Sequence, residues 1–135
     1  MLGIVSPTLA QYETEDDELN KSLLTIDANA SLDFGDFKVN ISGSYDITEK
    51  KLDYLSVEIG MSAGDIYMTV ELATITEKSI DEVVVVYTKN KDKGWGVIAK
   101  ELGIKPGSDE FHALKGNAKD KGNKNSKGKG KGKNQ

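Results

Sequence analysis

Cysteine and arginine are both absent from the 135 residues, and the chain has one histidine, one tryptophan and two prolines. The lack of cysteine excludes disulfides, thiolate metal sites, iron–sulfur clusters and cysteine nucleophiles. With no arginine, every cation is a lysine, which meets an anion as a point charge. No apolar run approaches the ~18 residues that a membrane-spanning helix needs. The length is that of one domain with one core.

What the chain does have is charge, unevenly spread. Residues 1–77 hold 4 lysines against 15 acids, residues 78–114 hold 6 against 6, and residues 115–135 hold 8 against 1. The overall net of −4 thus joins an acidic first part to a tail of +7.

The opening decapeptide is apolar, and its Thr8-Leu9-Ala10 resembles the cleavage end of a secretory signal whose basic start is missing. Residues 1–10 are expected to be a signal-peptide remnant, which points to a periplasmic or secreted protein; the alternative destination is the cytoplasm. Residues 11–20, with Glu13, Glu15, Asp16, Asp17 and Glu18, read as a solvated acidic lead-in.

From Leu24 the sequence alternates. Leu24, Ile26, Ala28, Ala30, Leu32 and Phe34 are apolar with polar residues between them, and after Gly35-Asp36 the alternation resumes at Phe37, Val39, Ile41, Tyr45 and Ile47. A strand places all of these on one side, and Gly-Asp suits a tight connection. The spacing predicts a two-stranded β-hairpin over 23–47.

Helical signals follow. Residues 48–59 fit helix or strand, with a short helix ended by Gly60 favoured. Ser62-x-x-Asp65 is a weak capping box ahead of the apolar segment 66–75, and Ser79-Ile-Asp-Glu82 is a complete one ahead of Ile80, Val83, Val84 and Tyr87. Trp95, Ile98, Ala99 and Leu102 repeat the helical spacing, Gly103 and Pro106 mark its end, and Ser108 caps a last helix bearing Phe111 and Leu114. Past Leu114 the composition turns to Lys, Gly and Asn. The fold expected is α+β: an N-terminal two-stranded β-hairpin covered by three to four short α-helices, one folded domain over 21–114, and a disordered tail over 115–135.

The stretch Lys93-Gly-Trp-Gly-Val-Ile-Ala-Lys-Glu-Leu-Gly-Ile-Lys-Pro-Gly-Ser-Asp-Glu-Phe-His-Ala-Leu-Lys115 resembles a signature shared by a group of uncharacterised bacterial proteins that often finish in a Lys/Gly-rich tail. The similarity extends upstream through Gly64-Asp65-Ile66-Tyr67-Met68. The resemblance implies export and assigns no functional residue.

Few residues point to chemistry. His112, between Phe111 and Ala113, reads as a partly buried structural histidine, since catalysis or metal binding needs placed partners. Asp27, Asn29, Ser31 and Asp33 superficially resemble a calcium loop, but Leu32 and Lys38 stand where that loop needs Gly and Glu, so they read as the wet face of a strand. Gly94-Trp-Gly is too short for a phosphate cradle, and Trp95 reads as a core anchor. No catalytic, cofactor-binding or metal site is expected. The reading preferred is an exported, non-enzymatic module that meets an anionic polymer or surface, or an acidic protein partner, through Lys119, Lys121, Lys124, Lys127, Lys129, Lys131 and Lys133. The alternatives are a small carboxylate enzyme and a nucleic-acid-binding protein with a helix-turn-helix-like C-terminal half. Against the latter, the would-be recognition helix opens on Asp109 and Glu110, which repel phosphate.

Overall fold

The second half of the acidic run, Asp16 to Glu18, starts a helix. In the computed structural model, which describes residues 12–122, the Asp16 carboxylate accepts the Leu19 N–H at 2.9 Å, and Asp17 and Glu18 occupy the first turn, where the helix dipole favours them. The helix so begun is α1 (Asp17–Leu32). It buries Leu19, Leu23, Ile26 and Ala30, at steps of four, three and four. Asp33 then caps α2 (Phe34–Ser44) by accepting the Asp36 N–H. Phe34, Phe37, Ile41 and Tyr45 lie along one side of α2 or just beyond its end, with the two Phe rings stacked at 5.5 Å.

These two helices overturn the predicted hairpin: among the described residues there is no strand, and the fold is all-helical. The alternation misleads because a step of four preserves parity. Ile26 and Ala30 are both even, and Phe37, Ile41 and Tyr45 are all odd, so a helical stripe passes as a strand face. The residues that separate the two readings are Leu32 and Val39, which a hairpin buries and which here are 84% and 60% exposed.

The ambiguous segment 48–59 is helical. Thr48 caps α3 (Glu49–Asp53), which runs directly into a π-helical turn (Tyr54–Ile59) that Gly60 ends in the left-handed conformation at φ 85°. Next comes α4 (Ala63–Thr76), started by a capping box in which Ser62 and Asp65 exchange hydrogen bonds. All of residues 63–73 except the half-buried Asp65 are buried, which makes it the core helix around which α1, α5 and α7 pack. The second capping box, Ser79 with Glu82, starts α5 (Ile80–Asn90). A 3₁₀ turn (Lys91–Lys93) then leads to α6 (Trp95–Glu101).

The last helix, α7 (Asp109–Gly122), does not stop at Leu114. Phe111, Leu114, Ala118 and Gly122 form its buried stripe against α1 and α4. Residues 115–122, assigned to a disordered tail by composition, are therefore helix. The small residues make the close packing feasible: a Cβ on Gly122 would sit 3.3 Å from the Thr25 methyl, and Asn29 donates to the Gly122 carbonyl at 2.8 Å. No helix among the described residues is long and apolar enough to cross a membrane.

Candidate functional site

Two regions gather polar chemistry. In the first, the start of the described chain is laid across three helices. Tyr12 is buried, and its hydroxyl donates to the Asp27 carboxylate of α1. With that proton committed, the Ser62 hydroxyl donates to the phenol oxygen at 2.7 Å. The second oxygen of Asp27 accepts the Gly64 N–H at 2.8 Å. Main-chain carbonyls complete the attachment: Tyr12 O accepts from the Trp95 N–H at 2.9 Å and Glu13 O from the Gly96 N–H at 3.0 Å. Thr14, fully buried, bonds Asn20 and so turns the chain into α1.

Beside this strap, Asp65 accepts from the Trp95 indole N–H at 2.8 Å, the Tyr87 hydroxyl at 3.3 Å and the Ser62 N–H at 3.1 Å. The Trp95 and Tyr87 rings stack at 5.3 Å. An open cleft of about 460 Å³ runs alongside, bounded by Gly60, Tyr87, Lys91 and Asp92. Burial raises the Asp27 carboxyl above the usual carboxylate range despite its hydrogen bonds. Burial and the nearby Asp65 push the Tyr87 phenol up to about 12. Tyr12 is raised further, by burial and then by Asp27. The oxygens of Asp27 and Asp65 are taken up by donors of the protein, so the cluster holds the strap in place.

The second region is the outward side of α7. An open groove of about 400 Å³ between α1 and α7 is bordered by Lys21, His112, Lys115 and Lys119, with Glu18 the one acid on its rim. Lys115 Nζ reaches Asp16 at 3.0 Å and Glu18 at 3.3 Å. The Asp16 carboxyl lies below its ordinary range: burial acts against this, but the Leu19 N–H and Lys115 outweigh it. Lys115 is raised in turn by its hydrogen bonds to the same carboxylates.

Of the lysines singled out in the sequence, Lys119 stands exposed on α7. Lys121 is half-buried, donating to Ser44 at 2.7 Å and lying 5.7 Å from the Tyr45 ring centre. Lys124, Lys127, Lys129, Lys131 and Lys133 fall outside the described residues, as does the predicted signal remnant 1–10. His112 is exposed rather than partly buried. Asp27 is not on a wet strand face but half-buried under Tyr12.

No family model, curated protein or solved structure matches this chain. Among the described residues no group of three or more His, Asp or Glu side chains is placed to hold a metal ion. A further buried carboxylate, Glu71 on α4, accepts from Tyr45 at 2.5 Å and from Asn117 at 2.9 Å, tying the end of α2 to α7. Sequence reasoning missed Tyr12 and Glu71, and it placed Asp27 on a wet face. A lone tyrosine in an acidic run carries no signal that it is buried, and Asp27 and Glu71 become partners of tyrosines only once the helices pack.

Proposed function

We propose that this protein is an exported, non-enzymatic helical module that engages an anionic polymer, surface or acidic partner through its C-terminal lysines. The proposal places it with the bacterial proteins that residues 93–115 resemble. The observation that supports the reading is the contact of Lys115 with both Asp16 and Glu18: the lysine-rich end already meets carboxylates of the acidic first part within the chain. Two turns of α7 beyond Leu114 set the exposed Lys119 on the same groove as the exposed Lys21, so this part of the surface offers placed cations besides the lysines of 123–135. Lysine point charges without arginine forks suit a partner recognised by charge density rather than by base sequence. The first turn of α7, with Asp109 and Glu110, and its packing on α1 and α4 do not favour its use as a DNA-reading helix.

The test is retention of the full chain on a phosphate-bearing polymer across a salt titration. Replacing Lys119, Lys121, Lys124, Lys127, Lys129, Lys131 and Lys133 with Gln should abolish retention. For the parent chain, binding should fall linearly on a log–log salt plot, with a slope of about −0.7 per phosphate met on a single-stranded polymer. Equal retention of the two proteins would contradict the reading. Sequencing the N-terminus of the protein from its native host tests export, with Gln11 as the expected first residue.

A further inference from the structure

The strap at residues 12–15 is bound as a ligand is bound. Its phenol enters a pocket between Asp27 and Ser62, and two successive carbonyls meet the N–H groups of Trp95 and Gly96. Three glycines make room for it. A Cβ on Gly64 would lie 2.3 Å from the Tyr12 hydroxyl, one on Gly94 2.6 Å from the Glu13 Cβ, and one on Gly96 3.0 Å from the Glu13 carbonyl. These glycines come from two helices and a turn, and all of them face the strap.

The occupant is held under strain. Glu13 and Glu15 take φ values of 46° and 71°, a region that residues with a side chain seldom adopt. Both residues lie between the docked Tyr12 and the Asp16 cap of α1.

We propose that Asp27, Ser62, Gly64, Gly94 and the N–H groups of Trp95 and Gly96 form a binding site for an extended peptide segment carrying a tyrosine, with residues 12–15 as its displaceable resident. This goes beyond the lysine reading and does not rest on it. The carboxylates Asp27 and Asp65 disfavour an anionic group in the tyrosine pocket itself, while paired N–H donors and that buried pocket match a peptide backbone and a phenol. The cleft beside Tyr12 gives an incoming segment access without opening a helix.

Trp95, the only tryptophan, forms one wall of the site and reports its occupancy by fluorescence. The probe is the capped peptide Tyr-Glu-Thr-Glu flanked by glycines, added to the full chain. Tyr12→Ala leaves the pocket empty and should bind the peptide saturably, with a midpoint at least about tenfold lower than the parent, whose site is mostly filled by its own strap. The double variant Tyr12→Ala, Gly64→Ala should lose the response, since the added methyl occupies the phenol's place. Should Tyr12→Ala fail to fold, Tyr12→Phe is read against the parent with the same expected order. A folded Tyr12→Ala, or failing that Tyr12→Phe, that shows no saturable change overturns the proposal.

Discussion

Two aspartates, each beside the strap or its entry into α1, titrate in opposite directions. Asp27 is raised by burial, so the folded chain holds its proton to higher pH than the unfolded chain does. The stability it contributes is present below the ordinary carboxylate value of 3.8 and is lost as pH rises through the higher folded value. Asp16 is lowered, burial being outweighed by the Leu19 N–H and Lys115. Its contribution is present above 3.8 and disappears as pH falls through the lower folded value. Urea midpoints measured through the acid range should therefore diverge. The stability difference between parent and Asp27→Asn should shrink as pH rises, and that between parent and Asp16→Asn should grow. Parallel curves for the two variants would refute the environments described for them.

At the scale of elements, the chain's start and stop signals were legible and its period was not. The capping boxes at Ser62 and Ser79, the left-handed Gly60 and Gly103, and the Ser108 cap all appear where local chemistry puts them. Each is decided by a few neighbouring atoms, which is why one sequence suffices. Over 24–47 the alternation misleads because parity alone carries no strand propensity. Between positions 17 and 32 only Thr25 and Ile26 are β-branched, and Asp16 and Asp33 stand where caps belong. The later boundary of α7 was hidden because its buried stripe ends in Ala118 and Gly122, whose packing depends on Thr25 and Asn29 far away in sequence. Gly43 offers a direct check on α2. It lies within the helix, and a methyl group added there would meet nothing within 4 Å, so Gly43→Ala should raise unfolding stability by about 0.5–1 kcal/mol. A loss in a denaturant titration would contradict a helix there.

Across the whole molecule, the acidic and basic parts of the sequence meet where α1 lies along α7. Lys115 joins them at the surface, and beneath it Leu114, Ala118 and Gly122 close on α1 and α4. Ion pairs at a surface add little, so the close apolar contact is what seats the lysine-bearing end of α7. Ala118→Leu should overpack that contact at a cost of about 1–3 kcal/mol. Its urea midpoint should fall, and amide exchange in 115–122 should quicken ahead of 109–114. Unchanged protection in 115–122 would show that this turn is not held by packing.

The strap site and the groove beside α7 depend on α1 being a helix, and the tie between Tyr45 and Glu71 depends on α2 being one. Only a helical α1 turns Leu23, Ile26 and Ala30 inward while carrying Asp27 to Tyr12, and only a helical α2 delivers Tyr45 to Glu71. The measurement that tests this most directly is the proton–proton contact map of residues 24–47 by nuclear magnetic resonance. Hα contacts to the Hβ three residues ahead, running through both segments, are expected. Hα–Hα contacts pairing residues before Gly35 with residues after Asp36 would contradict the fold and the strap site with it.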